Sequence, residues 1–575
     1  MCGIFFSLCR ARSIQPDPGT ARLLRNRGPD SVGTHQVRVH AHDDVYYEAT
    51  FVSTVLSLRG TAITGQPLID DASGSALCWN GEAWKFAGQP VTGSDSQLLF
   101  QNLLQACTTR SNGQRERELA QRQTVNALLS IGGPYAFVFY DARNRYLYHG
   151  RDCLGRRSLL KKHSSDDHLI ISSVCDNTTG DNWAEIEADG IHVVDLSQLP
   201  GHGPLPISHV PHCRQCTHAD QLHFVDPQNV PFPQMNDTIP TSGFGVRPTL
   251  QTVNQLQASL SSSLALRVQH VREAKDLAKN GHQSTDEARV AILFSGGLDC
   301  TLLARLAHEL IPREQGIDLL NVAFENPRIH SKLAPNESPY ELCPDRITGR
   351  TSHAELTQVC PGRTWRFVEV NVPYSQTLAH RTKVMALMHP HNTEMDLSIS
   401  YALYFASRGS GFVRDTQDTT APYSTPAHVL LSGLGADELF GGYGRHAVAF
   451  AHEGYASLIS ELTLDFDRIG KRNLGRDDRV ISDSGREVRF PYLDEAFVSF
   501  VLCLPVTSKC DFAVPQDKDS EDPGTFLEPG KRALRMLAWH LGMKGVAAEK
   551  KRAIQFGSRT AKMETGKTKG TQVLT

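Results

Sequence analysis

The sequence predicts a two-domain α/β protein, an antiparallel-sheet domain followed by a domain built on a parallel sheet. Three observations carry that expectation. At 575 residues the chain is too long for one hydrophobic core. Up to about residue 200 it holds short β-type runs divided by turn residues, the texture of antiparallel sheet. Beyond Pro248 apolar strands alternate with helical stretches, which implies βαβ units.

In the first part the β-type runs are Gly3–Leu8, Val45–Leu58, Ala76–Asn80, Tyr135–Tyr140, Leu169–Ser173 and His192–Leu196. Turns such as Asn80-Gly81 and Asp141–Asn144 separate them, and Ser96–Thr108 and Arg115–Ile131 read as helices. From 201 to 247 Pro, His, Gly and polar residues dominate and no period lasts, so this segment reads as a linker. The second part carries apolar runs at Val290–Phe294, Leu319–Phe324, Arg366–Val372 and Val429–Leu431, of the kind buried on both faces. A helical stretch follows each, Leu302–Leu310 being the clearest. The expected organisation is a domain over 2–200, a linker over 201–247, a second domain over 248–556 and a polar, basic tail over 557–575.

Composition excludes several classes. A net charge of -3 gives no reason to expect nucleic acid or an anionic membrane as partner. The first apolar run lacks a basic n-region and is followed closely by Arg10 and Arg12, so no secretory signal is expected. No segment reaches the ~18 apolar residues of a membrane span. Thirteen scattered cysteines read as reduced thiols, which points to the cytosol. His212, Cys213 and Cys216, with His209 and His218, have half of a zinc spacing. No second Cys-x-x-Cys completes it, so exposed coil is expected there. Nothing specifies an oligomeric state.

Cys2 follows the initiator Met directly. Removing Met1 leaves one residue with both a thiol and an α-amine, and an amine pKa of ~7.7–8.0 suits a proton acceptor near neutral pH. Behind it come Arg27-Gly-Pro-Asp30, Gln66-Pro-Leu68, Asn80-Gly-Glu82, Ser94-Asp-Ser96, Gly133-Pro-Tyr-Ala-Phe137 with Tyr140-Asp141, and Arg151-Asp152 with Gly155-Arg-Arg157. This ordered series resembles the class II glutamine amidotransferases over about residues 2–200, and implies their αββα Ntn-hydrolase-like fold. By that resemblance Cys2 attacks the glutamine side-chain amide, while Asn80 and Gly81 form the oxyanion hole. The same resemblance implies that Glu82 and Asp95 hold the glutamine α-amino end. Taken alone, Asn80-Gly81 reads as a tight hairpin turn. The family's carboxylate-clamping Arg, eleven residues before the Gln of Gln-Pro-Leu, is Val55 here. Arg59 lies an even four residues on and would share Val55's face on a strand, which makes it the candidate clamp.

Ala291–Cys300 places a Ser-Gly-Gly-x-Asp loop between a strand and a helix. Small residues there let backbone N–H groups close around an anion at the helix N-terminus. A carboxylate such as Asp299 suits Mg²⁺. No Gly-Lys-Ser/Thr follows, so this is not a Walker loop. It resembles the PP-loop of enzymes that cleave ATP to AMP and pyrophosphate. Leu431–Tyr443 matches the Ser-Gly-x-Gly-x-Asp-Glu-x-Phe-Gly-Gly-Tyr run of asparagine synthetases, Arg486–Asp494 echoes their Glu-x-Arg-x-Pro-Phe-Leu-Asp, and Lys531 falls at their phosphate-binding lysine. The resemblance assigns ATP to Phe294, Ser295, Gly296, Gly297, Leu298, Asp299, Cys300, Ala323, Ser432, Gly433 and Lys531, and Mg²⁺ to Asp299 and Asp437. Three family positions differ: Val55, Thr393 where a Glu is usual, and Leu434 in place of the Glu of Ser-Gly-Glu-Gly. Ile317–Phe324, Pro344–Arg350 and Lys551–Gly557 are similar to the divergent branch called asparagine synthetase domain-containing proteins, over nearly the whole chain.

The resemblance implies glutamine-dependent amidation. Glutamine, or ammonia directly, supplies nitrogen; ATP activates aspartate as its adenylate; ammonia displaces AMP to give asparagine. Two other readings stay open. One is a PP-loop amidotransferase acting on another carboxylate. The other is a non-catalytic or regulatory relative that keeps ATP binding, which the substitutions at Val55, Thr393 and Leu434 favour.

Overall fold

The computed structural model describes residues 2–574 apart from 42–44, 61, 109–112, 164–167, 177–179, 181, 213–231, 241–247, 273–285, 335, 416, 515, 518 and 564–569. The chain divides into two compact units. One comprises Met1–Pro231 with Met385–His391 and Gly470–Arg486; the other comprises Phe232–Val384, Asn392–Ile469 and Glu487–Thr575. No helix among the described residues is long and apolar enough to cross a membrane.

The first unit is built on two antiparallel six-stranded sheets. Its strands are β1 (Gly3–Arg10), β2 (Ser31–His40), β3 (Tyr46–Val55), β4 (Leu68–Ile69), β5 (Ala76–Gly81), β6 (Tyr135–Asp141), β7 (Tyr146–Arg151), β8 (Leu160–Lys162), β9 (His168–Ser172), β10 (Trp183–Glu185), β11 (Gly190–Asp195) and β12 (Ile207–Pro211). One sheet runs β10-β8-β9-β1-β3-β2, the other β12-β11-β7-β6-β5-β4. Alternate residues meet between them: Ile4, Phe6 and Leu8 of β1 and Phe51 of β3 share a core with Cys78 of β5 and Val138 of β6. Burying a side chain such as Phe6 there is worth about 1.5–3 kcal/mol. The intervening residues of the second sheet, including Leu77, Phe137 and Phe139, face Leu99 and Leu103 of α2 (Asp95–Ala106) and Val125 and Leu128 of α3 (Gln114–Leu129). On the first sheet, α1 (Pro18–Arg27) packs against β1 and β3. Asp17 caps α1 by accepting from the Thr20 N–H at 2.8 Å, with Pro18 at its first turn. The result is the αββα layering. β12 lies inside the segment read from sequence as a linker, and is the edge strand beside β11.

The second unit holds a seven-stranded sheet of β13 (Val290–Leu293), β14 (Ile317–Phe324), β15 (Trp365–Val372), β16 (Ser410–Arg414), β17 (Thr420–Ser424), β18 (Val429–Leu431) and β19 (Glu487–Arg489), in the order β17-β16-β15-β14-β13-β18-β19. The five strands β15, β14, β13, β18 and β19 are parallel, and β16 and β17 add an antiparallel edge. Every residue of β14 is buried, as a strand covered on both faces requires. From β13 the chain builds outward to β14 and β15, and later returns on the other side of β13 through β18 and β19. The carboxyl ends of β13 and β18 therefore flank a topological switch point, where open α/β sheets bind ligands. Near the carboxyl terminus Glu394 and Met395 donate to the Gln572 and Gly570 carbonyls at 2.9 and 3.0 Å, so residues 570–572 are tied to the start of a helix, Glu394–Ser407.

Candidate active sites

Cys2 stands at the head of β1 and is 8% exposed. Its N–H donates to Asn80 Oδ1 at 3.0 Å, and Gln66 Nε2 lies 3.9 Å from its Sγ. Asn80 and Gly81 are not a hairpin turn but the last two residues of β5, paired with Ala136 and Tyr135. That pairing buries Asn80 completely. Because Oδ1 faces an N–H, the amide orientation is fixed, and Nδ2 is left as a buried donor without a hydrogen-bond partner. A donor held in that condition suits an anion that develops beside the Cys2 thiol. A Cβ on Gly81 would lie 2.4 Å from the Pro134 carbonyl oxygen, so close approach of β6 excludes any larger residue.

Arg27 anchors the backbone of Cys2. Its Nε donates to the Cys2 carbonyl at 3.2 Å, and its guanidinium reaches Ser482 Oγ at 2.6 Å and Asp478 at 2.9 Å, all buried. Asp478 also accepts from the Ser158 N–H at 3.1 Å and lies 3.7 Å from Arg157. Arg27 and Arg157 of the amino-terminal motifs thus converge on one carboxylate supplied by Gly470–Arg486.

Glu82, Asp95 and Arg59 also lie together. Arg59 reaches Glu82 Oε2 at 3.4 Å, donates to the carbonyls of Ala83 at 3.0 Å and Val91 at 2.6 Å, and lies over the Trp84 ring at 5.5 Å. β3 ends at Val55, so no strand face joins Val55 to Arg59. Asp95 Oδ2 accepts from Trp79 Nε1 at 3.2 Å and the Ala83 N–H at 2.9 Å. Burial raises its pKa against the opposing charge of Arg59.

In the second unit, beyond α4 (Leu250–Val268), the turn from β13 into α5 (Leu298–Leu310) carries Phe294–Gly297. Gly296 has φ +80°, and a Cβ there would lie 2.5 Å from Gly349 Cα, so only glycine fits. Asn321 of β14 holds the turn by donating to the Phe294 carbonyl at 2.9 Å, and Ser352 Oγ donates to the Gly296 carbonyl at 2.7 Å. Cys300 Sγ donates to the Gly297 carbonyl at 3.3 Å. Ala323 is buried near the carboxyl end of β14, the neighbouring strand.

The loop after β18 meets this turn. Gly433 packs on Asp299, where a Cβ would lie 2.8 Å from the Asp299 Cβ; the Ser432 N–H donates to the Arg489 carbonyl at 3.0 Å. Asp437 follows on a short helix, Ala436–Phe440. Lys531 Nζ bridges the two acids, 2.5 Å from Asp299 Oδ2 and 2.7 Å from Asp437 Oδ1, and Lys551 pairs with Asp437 Oδ2. Lys531 has φ +56°, a left-handed conformation that costs energy in a residue with a Cβ. Burial acts to raise the Asp437 pKa, but the two lysines overcome it and hold the carboxyl well below the usual range. Burial pushes Glu438 up, helped by the charge of Asp437; it accepts from the Tyr443 hydroxyl at 2.7 Å. Asp299 Oδ1 is buried without a hydrogen-bond partner.

The structure therefore gathers Ser295–Cys300, Ser432, Gly433, Asp437 and Lys531 at the switch point. Lys551 joins them without having been singled out as a site residue, although its stretch already carried the resemblance. Thr393 caps its helix, its Oγ1 accepting from the Asp396 N–H at 3.2 Å. Of the zinc-like group, Cys213, Cys216 and His218 lie outside the described residues.

Comparison with known proteins agrees with this architecture. The family model described as Asparagine synthase matches residues 450–569. The mouse protein named asparagine synthetase domain-containing protein 1 is 35% identical, over 98% of this chain and 96% of its own. The human protein of that name is 34% identical over the same shares of the two chains. Human glutamine-hydrolyzing asparagine synthetase is 22% identical over 88% of this chain and 77% of its own. The chain belongs to the asparagine synthetase domain-containing protein family.

Proposed function

We propose that the protein makes asparagine in the cytosol, from aspartate, ATP and the amide nitrogen of glutamine. The observation that carries this reading is Lys531 bridging Asp299 and Asp437 beside a glycine-rich strand-to-helix turn. With Met1 removed, the Cys2 amine takes the thiol proton and the thiolate attacks the glutamine amide carbon. Asn80 Nδ2 donates to the oxygen that gains charge. Ammonia leaves, and water cleaves the thioester to glutamate. In the other unit the aspartate β-carboxylate attacks the α-phosphorus of ATP, pyrophosphate leaves, and ammonia displaces AMP from the acyl carbon.

Asp299 and Asp437 fit Mg²⁺: both are carboxylates, and Asp299 Oδ1 is buried with its acceptor capacity unspent. The ion would screen phosphate charge when bound. The chain's own contribution is positional. The Gly296–Gly297 backbone leaves room for phosphate at the start of α5, and Lys531 and Lys551 supply positive charge where pyrophosphate departs.

The test is a product assay on purified protein with ATP, aspartate, and glutamine or ammonium. One AMP and one pyrophosphate per asparagine are expected, and Cys2→Ala should abolish only the glutamine-supported reaction. AMP release with a different acid and none with aspartate would move the acceptor. ATP binding with no AMP under any condition would establish the non-catalytic reading.

A further inference from the structure

Outside both sites, three histidines form a row across three antiparallel strands. His149 of β7 pairs with His192 of β11, which pairs with His209 of β12. Their rings follow one another at centroid separations of 4.9 and 4.9 Å. Asp189, in the turn that leads into β11, brings its Oδ1 to 3.1 Å from His209 Nε2. One ligand-type atom from each of Asp189, His192 and His209 lies within 4.8 Å of the others.

The backbone makes room for this grouping. A Cβ on Gly190 would lie 2.5 Å from His209 Nε2, so glycine is what admits the ring beside the Asp189 turn. Behind His192, His149 is 2% exposed and neither of its ring nitrogens has a hydrogen-bond partner. It is a flat, buried wall that fixes the His192 ring. The outer residues Asp189 and His209 are exposed, so their side chains can close on an ion.

We propose that Asp189, His192 and His209 bind one divalent transition ion of the zinc type. Two imidazoles and one carboxylate are the donor set that borderline cations prefer, whereas Ca²⁺ and Mg²⁺ favour oxygen alone. Ligand bonds of about 2.0–2.1 Å in a tetrahedron place donor atoms about 3.4 Å apart. A modest rotation of the exposed side chains reaches that spacing, and water takes the remaining position. The ion would clip edge strand β12 to β11, the strand it pairs with. The motif Cys213-Arg-Gln-Cys216 is the rival in the same stretch of sequence, and its soft thiolates would give a different site.

Cobalt distinguishes them. Full-length protein, stripped with a chelator and kept reduced, is titrated with Co²⁺ and followed by absorbance. One site without a thiolate-to-cobalt charge-transfer band is expected. His209→Ala and Asp189→Asn, both at exposed positions, should each weaken it by at least about 10- to 100-fold, since even loss of an outer contact to a metal ligand costs that much. The double variant Cys213→Ser/Cys216→Ser should bind as wild type does. Zn²⁺ should raise the melting temperature of wild type and of the cysteine variant, but not of His209→Ala. The proposal is overturned if wild type binds nothing at millimolar Co²⁺. It is equally overturned if binding survives both exposed-residue substitutions or vanishes with the cysteines.

Discussion

Gly442→Ala tests the proposed nucleotide site where Asp437 and Lys531 meet. The added Cβ would lie 2.0 Å from Asp437 Oδ1 and 2.2 Å from Lys531 Cε. Ordinary carbon contacts begin near 3.4 Å, so one or both side chains must yield. The backbone cannot take up the shift easily: the Lys531 N–H donates to the Phe440 carbonyl at 2.9 Å, and the Gly442 N–H to the Asp437 carbonyl at 3.0 Å. The Asp437–Lys531 pair, now at 2.7 Å, opens instead. Opening it to about 4 Å at an effective dielectric of ~20 lowers the attraction from about 6 to about 4 kcal/mol. A loss of about 2 kcal/mol is about 30-fold in rate if the pair acts on the departing pyrophosphate. Ammonia-supported AMP formation is the assay, and glutamate release from glutamine is the internal control, because Cys2 belongs to the other unit. AMP formation within about threefold of wild type, in protein with unchanged circular dichroism, would refute the assignment of Asp437 and Lys531 to catalysis.

Two further substitutions test other parts of the structure. Asn80→Asp keeps an acceptor for the Cys2 N–H but replaces the unpartnered Nδ2 donor with oxygen; glutaminase kcat should fall about 100- to 1,000-fold, and a change confined to KM would count against the oxyanion role. Burial pushes the Asp345 carboxyl up to about 7, against the opposing charges of Arg552 and Arg559, while an unfolded Asp titrates near about 3.9. The folded chain therefore keeps a proton that the unfolded chain releases, and this contribution to stability is full below about pH 4 and lost as pH rises through about 7. Asp345→Asn should flatten the decline in melting temperature over that window, and an unchanged slope would contradict it.

How far the sequence could be read depended on what kind of signal each feature leaves. The Ser295–Asp299 loop was legible because the strand before it and the helix after it have distinct periods, and only small residues tolerate the turn between them. Cys2, Asn80 and Gly81 were legible through their order along the chain. Their real geometry was not, because Asn80-Gly81 ends a strand whose partner begins more than fifty residues later, and a local reading finds a turn there. Arg59 shows a related limit: an even offset places two residues on one face only while the strand lasts, and β3 stops at Val55. Lys551 left little trace, since a lone lysine in a polar stretch looks like any solvated charge. What gives it meaning is Asp437, more than a hundred residues away. β19, three residues long and carrying two charged side chains, is too short to show a period at all.

The return of Gly470–Arg486 to the first unit has a consequence for how this protein is made. Arg27 and Arg157 are buried against Asp478, and a guanidinium enclosed without its carboxylate costs several kcal/mol. A ribosome adding about 5–20 residues per second needs on the order of 10–50 s to travel from the end of the amino-terminal segment to Asp478. For that interval Arg27 and Arg157 are present without Asp478. The last part of the first unit to be synthesised is therefore the part that supplies this carboxylate, and the proposed glutamine site is completed only after most of the second unit's sequence has been made.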